Sequence, residues 1–165
     1  MCGRYTLFTD KEYQDIRKII RAVQEKGHEV KTGEIYPTNP APILVWEGKE
    51  TVPQAVKWGW PKFQGSGVLI NARAETAEEK NLFRKSVYTR RCVVPTTGFY
   101  EWDQEKAKYR FILPHASTLY LAGLYNEFQG ERRFLILTTE ANASVSFIHS
   151  RMPVIVFREM IDTWL

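Results

Sequence analysis

Cysteine is scarce in this chain: two residues, Cys2 and Cys92, among 165. Two thiols support neither a disulfide framework nor a Cys-rich zinc site. Only three histidines are present, and neither His-Glu-x-x-His nor a paired Cys/His spacing occurs, so no metal is expected. The ten glycines form no phosphate-cradling loop of the Walker or dinucleotide type, so no nucleotide cofactor is expected. Ser144 and Ser146 lack the context of a nucleophile elbow. No run of ~18 uncharged apolar residues occurs, which excludes a membrane-spanning helix. The start, Met1-Cys2-Gly3-Arg4-Tyr5-Thr6, lacks the apolar segment of a secretory signal. Repeats, low-complexity stretches and Pro/Gly/Ser-rich linkers are also missing, so one domain over 1–165 is expected.

What is present is basic and aromatic. Lys and Arg number 23 against 19 Asp and Glu, a net charge of +4, which permits a nucleic-acid or phosphate partner without requiring one. Aromatics make up 13%, with five Trp, enough to leave some rings for a binding surface.

Periodicity predicts one helix from Asp10 to about Lys26, started by a Thr9/Glu12 capping box and stopped at Gly27. Tyr13, Ile16, Ile19, Ile20 and Val23 would form its buried stripe. A second helix is expected over about Ala77–Val87, burying Leu82, Phe83 and Val87, with a Thr76/Glu79 capping pair before it. Shorter helical turns are expected near Ala141–Ile148 and Glu159–Leu165. Strand-like runs fall at Ile43–Trp46, Thr51–Trp58, Val68–Asn71, Arg91–Val94, Gly98–Trp102, Tyr109–Leu113, Thr118–Tyr125, Phe134–Thr138 and Met152–Phe157, with a hairpin turn at Glu47-Gly48-Lys49. Many short strands and two main helices predict an α+β fold built on a curled, largely antiparallel, barrel-like sheet.

Four segments carry candidate chemistry. With Met1 removed, Cys2 would present an α-amine and a thiol on adjacent atoms, both nucleophilic near neutral pH. Such an aminothiol condenses with an aldehyde to an imine, and the thiol then closes a thiazolidine ring. The plainer reading is an inert terminal thiol; Cys92 reads as a small buried hydrophobe. In Asn71-Ala72-Arg73-Ala74-Glu75-Thr76, Asn71 and Arg73 are either local caps or a hydrogen-bonding positioner and a phosphate clamp. In Gly98-Phe99-Tyr100-Glu101-Trp102, Glu101 is either solvent-facing or a desolvated general acid/base. In His149-Ser150-Arg151-Met152-Pro153, His149 is either structural or a proton shuttle, and Arg151 pairs with a carboxylate or a phosphate. Interleaved basic and aromatic residues around Lys57-Trp58-Gly59-Trp60 suit stacking on single-stranded nucleic acid; Trp58 and Trp60 are expected on the same face of a strand, where one of them also serves as core. His28 and His115 read as surface residues.

Taken together and in order, these segments resemble the SRAP family, the SOS response-associated peptidase domain, over nearly the whole chain. The carrying pieces are Met1-Cys2-Gly3-Arg4-Tyr5, Asn71-Ala72-Arg73-Ala74-Glu75-Thr76, Arg91-Cys92-Val93-Val94-Pro95, Gly98-Phe99-Tyr100-Glu101-Trp102 and His149-Ser150-Arg151-Met152-Pro153. The resemblance implies loss of Met1 and capture by Cys2 of the ring-opened aldehyde of an abasic site, in a positively charged groove for single-stranded DNA. It implies catalytic roles for Cys2, Asn71, Glu101 and His149. It implies DNA contacts through phosphates, or else a role in fixing the acids, for Arg4, Arg73 and Arg151, with Trp58 and Pro37 stacking on bases. A monomer is expected, in the cytoplasm and at the nucleoid if the source is prokaryotic. The chain departs from the family pattern at Ser150, Trp60 and Glu34. Two other functions remain open: an N-terminal-nucleophile cysteine peptidase, and a non-covalent single-strand binder.

Overall fold

The computed structural model describes residues 1–165, the side chain of Ala116 excepted. The elements run β1 (Tyr5–Leu7), α1 (Gln14–Glu25), β2 (Gly33–Ile35), β3 (Pro40–Glu47), β4 (Glu50–Trp58), β5 (Trp60–Pro61), β6 (Val68–Leu69), β7 (Asn71–Arg73), α2 (Ala74–Ala77) and α3 (Asn81–Thr89). There follow β8 (Arg91–Thr96), β9 (Gly98–Trp102), β10 (Lys108–Phe111), β11 (Leu119–Phe128), β12 (Glu131–Glu140), β13 (Arg151–Pro153) and α4 (Ile161–Trp164). Strands β3, β4, β12, β11 and β8 close on one another as a barrel. All the pairings in that ring are antiparallel except β12 with β4, which is parallel. A smaller antiparallel sheet, in the order β10-β9-β1-β2, lies beside it. The fold is α+β with a barrel-like sheet, as the strand-rich pattern predicts.

Two apolar clusters fill the interior. One gathers Tyr5, Ile16, Ile20, Trp58, Phe134 and both cysteines; the other gathers Trp60, Phe83, Leu124, Leu135 and Ile161. Helix α1 buries Ile16, Ile20 and Val23, an i, i+4, i+7 stripe, and the first two join the first cluster. It starts four residues later than predicted, and no side chain caps it. Tyr13 and Gln14 instead donate their N–H groups to the Asp10 and Glu12 carbonyls, so a backbone turn does the work assigned to Thr9 and Glu12. The second predicted helix is two: α2 and α3 are separated by Glu78–Lys80, and Thr76 lies inside α2 rather than capping it. Phe83 and Ser86 are buried, whereas Leu82 is exposed. Ala141–Ile148 forms short turns, with the Ser146 N–H donating to the Asn142 carbonyl at 2.8 Å, in keeping with the helical turns expected there.

Trp58 and Trp60 do not share a face. Gly59 between them has φ +110°, a conformation open to glycine. A Cβ there would stand 2.7 Å from a Val68 methyl. The kink sends Trp58 into one cluster and Trp60 into the other, each fully buried. Trp58 donates its indole N–H to the Ile70 carbonyl at 3.2 Å. Trp60 donates to the Arg133 carbonyl at 2.9 Å. The expectation that Trp58 stacks on bases is therefore corrected: its ring is interior, and both tryptophans are core.

The junction of the two sheets fixes the N-terminus. Strand β1 pairs with β9 in the register Tyr5 with Phe99 and Thr6 with Gly98. Buried threonines lock that register. Thr6 and Thr97 share a hydroxyl bond of 2.8 Å, and Thr96 Oγ1 lies 2.7 Å from the Thr6 carbonyl. Gly98 sits at the corner, where an added Cβ would lie 2.8 Å from the Phe111 carbonyl oxygen. Carried one residue further, the register puts Arg4 opposite Tyr100, whose N–H donates to the Arg4 carbonyl at 2.9 Å. The residues before Arg4 are thereby delivered to Glu101.

Candidate active site

Alternation along β9 sends Glu101 to one face of the small sheet and Tyr100 and Trp102 to the other. Glu101 is 1% exposed. Its Oε2 accepts from the Met1 α-amine at 3.3 Å, and its Oε1 is buried with no partner among the described residues. Burial raises its affinity for a proton, while the N-terminal amine and His149 pull the other way; the net shift is upward. A carboxyl in that state exchanges protons nearer neutrality than an exposed glutamate does.

His149 faces the same amine. Its Nε2 lies 2.9 Å from the Met1 nitrogen and 4.0 Å from Glu101 Oε2. Its Nδ1 lies 3.0 Å from the Arg151 N–H and 3.1 Å from the Arg151 carbonyl oxygen. One backbone residue thus offers Nδ1 both a donor and an acceptor. Whichever tautomer the ring takes, Nδ1 is satisfied and Nε2 remains available to give or take a proton.

Cys2 is fully buried in the first apolar cluster, whereas Met1 before it is largely exposed. Burial first, and the charge of Glu101 second, push its thiol above the ordinary range, so with Met1 attached the sulfur is a neutral thiol. Cys92 is also buried and raised by burial alone, in keeping with a core role.

Asn71 begins β7, which runs parallel to β12 with Asn71 level with Ile136. It is 8% exposed; its Nδ2 donates to the Ile136 carbonyl at 3.4 Å, and its Oδ1 has no partner among the described residues. The preceding Ile70 packs toward the N-terminal segment, since a Cβ on Gly3 would lie 3.9 Å from its Cδ1. Asn71 and Glu101 therefore each leave a buried acceptor oxygen unused, which is costly unless a donor arrives.

The arginines divide. Arg151 forms a fork with Glu75, both N–O distances 2.9 Å, and adds a bond to Thr138 at 3.1 Å. That strut holds the turn bearing His149, and Glu75 is pulled down to about 2, chiefly by the Arg151 hydrogen bonds. Arg151 thus fixes an acid. Arg73, at the end of β7, is exposed and makes no ion pair among the described residues. Arg4 lies between the rings of Tyr36 and Trp102, with its guanidinium 4.3 Å and 5.2 Å from their centroids. Pro37 is half-buried in the turn after Tyr36. Tyr36, Trp102 and Lys108 form the aromatic and basic surface beside these residues, and sequence reading missed them as a group. The alternation Glu34–Ile35–Tyr36, with Ile35 buried, was the available signal.

An open cleft of about 780 Å³ runs between Trp102–Glu105 and Ser146–Ser150, with His149 in its wall. A larger cavity of about 920 Å³ lies between the start of α1 and the segment from Met152 to Arg158. It touches none of Cys2, Asn71, Glu101 and His149, and the convergence of reactive groups, not volume, places the site. No cluster of three or more metal-binding side chains occurs among the described residues, and no described helix is long and apolar enough to cross a membrane.

The model of the SOS response associated peptidase family, SRAP, matches residues 1–165. The chain belongs to the SRAP family. It is 35% identical over 185 residues to the abasic site processing protein YoqW of Bacillus subtilis, covering 100% of this chain and 80% of YoqW. It is 28% identical over 183 residues to the abasic site processing protein YedK of Escherichia coli, covering 100% and 79%. Among solved structures, a protein from Bacteroides thetaiotaomicron superposes with a TM-score of 0.77 at 26% identity, covering 99% of this chain and 81% of that one.

Proposed function

We propose that this SRAP chain processes abasic sites in single-stranded DNA by covalent capture on Cys2 after loss of Met1. The observation that carries the reading is the pairing of the terminal amine with both His149 and Glu101 beside a buried cysteine. It is supported by the abasic site processing activity named for YoqW and YedK.

Hydrolysis of the Met1–Cys2 bond consumes one water and leaves the Cys2 amine free beside its own thiol. The deoxyribose of an abasic site is a hemiacetal in equilibrium with its aldehyde; His149 Nε2 assists ring opening by moving a proton at the ring oxygen. The Cys2 amine adds to the aldehyde carbon and a water leaves, giving an imine. Glu101 supplies the proton that this departure needs and accepts one from the amine. The thiol then adds across the C=N bond: sulfur bonds to carbon, and its proton passes to the ring nitrogen through Glu101. The product is a thiazolidine. Asn71 Oδ1 accepts from the amine and holds it in line. The role of Glu101 requires its raised proton affinity, since an ordinary glutamate is almost wholly ionised at neutral pH.

Incubation with single-stranded DNA bearing one abasic site tests this. A detergent- and heat-stable adduct is expected, absent with intact DNA and absent in Cys2→Ala. Turnover of peptides with no adduct would overturn it.

The grip on the Met1 amine favours a second, compatible reading: the site removes its own methionine in a single turnover, with Glu101 and His149 handling the protons.

A further inference from the structure

On the face of the small sheet opposite Glu101, one carboxylate holds two cations. Glu34 Oε1 lies 2.7 Å from Lys108 Nζ, and its Oε2 lies 3.5 Å from Arg4 and accepts from the Tyr36 hydroxyl at 2.8 Å. Each cation also rests on aromatic rings: Arg4 between Tyr36 and Trp102, and Lys108 3.9 Å above the centre of Tyr100. These are cation–π distances. Trp102 also lines the cleft that holds His149.

The arrangement has the parts of a single-strand subsite: rings for bases and cations for phosphates. Its anion position is taken by the protein itself. A carboxylate that bridges an ammonium and a guanidinium offers one oxygen to each, as the two free oxygens of a phosphodiester do. The hold on Arg4 is loose, through a single contact, and Arg4 Nε is buried without a partner among the described residues. Arg4 therefore keeps donors to spare, whereas Lys108 is closely paired. Hydrogen bonds from Lys108 and Tyr36 keep Glu34 down at about 2, so the negative charge is permanent at physiological pH.

We infer that Glu34 is a built-in surrogate for phosphate, which gates the Arg4–Lys108 platform against a phosphodiester of the strand flanking the lesion. A strand must displace the carboxylate, or share the cations with it, before it seats. Undamaged single strands then bind weakly and leave, while an abasic strand is retained by the bond to Cys2. Selectivity shifts from binding to chemistry. This inference rests on the single-strand reading above and adds a residue that sets its specificity.

The test is binding of an intact, unlabelled-site oligonucleotide, free of abasic residues, across a salt series. Glu34→Gln keeps the shape and removes the charge. It is expected to bind at least about threefold tighter near 50 mM salt, with a log–log salt slope steeper by about 0.7–1.4 as one or two phosphate contacts are gained. Glu34→Asp, which keeps the charge, should retain the wild-type slope. In a Lys108→Met background the gain from Glu34→Gln should shrink to the smaller end of that range. Equal or weaker binding by Glu34→Gln, beside measurable wild-type binding, overturns the gate alone. Binding by neither protein contradicts the single-strand reading together with it.

Discussion

Nε2 of His149 stands 4.0 Å from Oε2 of Glu101, and the terminal amine of Met1 lies within 3.3 Å of both. A base, an acid and an amine thus meet at one point, with the acid buried and the imidazole braced on the Arg151 backbone. Glu101→Gln keeps the shape and removes proton transfer. On N-terminally processed protein, the adduct should form about 10²-fold more slowly or worse, the usual range for a lost general acid/base. The midpoint of urea unfolding should not fall, because the ionised carboxylate is the form that burial penalises. A time course of adduct formation beside a denaturation curve checks both.

Stability should fall in acid, with a sign set by the carboxylates. Glu34 and Glu75 are both held at about 2, below the ordinary glutamate value. Their ion pairs stabilise the fold at pH above about 4.5, and that contribution is lost as pH falls toward 2. Glu101 has the opposite sign: its proton is bound more tightly in the folded state, so its contribution is present in acid and is lost as pH rises through its folded value. Unfolding midpoints at pH 7, 4 and 2.5 should drop on acidification for the wild type. Glu75→Gln should start lower at pH 7 and lose less.

Trp58 and Trp102 should separate core from surface. Trp58→Ala removes a fully buried ring and is expected to cost about 3–5 kcal/mol of stability. Trp58→Phe, which stays folded, should leave the affinity for intact single strands within about twofold, since no stacking contact is lost. Trp102→Ala should reverse the pattern, weakening binding by about 1–3 kcal/mol if one base stacks there. Affinity and urea midpoints of the three variants decide it.

Much of this was legible in the sequence, for reasons that particular residues show. The strand-like runs placed β3, β4, β8, β11 and β12, whose inward-facing apolar residues line the barrel interior. The family motifs placed Cys2, Asn71, Glu101 and His149, and the structure brings Cys2, Glu101 and His149 around the N-terminus. Strands β1 and β2 went unread: each has only three residues, and β1 is fixed by Phe99 and Thr97, and β2 by β1, rather than by local pattern. Trp58 and Trp60 misled because strict alternation puts them on one face, and only the positive φ of Gly59 separates them. The late start of α1 depends on backbone bonds at Asp10 and Glu12, which side-chain spacing does not encode. Glu34 was visible only as a departure; its two cations come from β10 and the N-terminus, far away in the chain.

The central claim is that position 2 supplies both nucleophiles once Met1 has gone, and intact mass measures it directly. The wild-type protein should lack one methionine. With an abasic oligonucleotide it should gain the mass of that oligonucleotide less one water, the stoichiometry of a thiazolidine. Glu101→Gln should retain Met1 if the chain cleaves itself, and should lose it if another enzyme does the cutting. A protein that keeps Met1 and still forms the adduct in full, or an adduct that survives Cys2→Ala, would contradict the account.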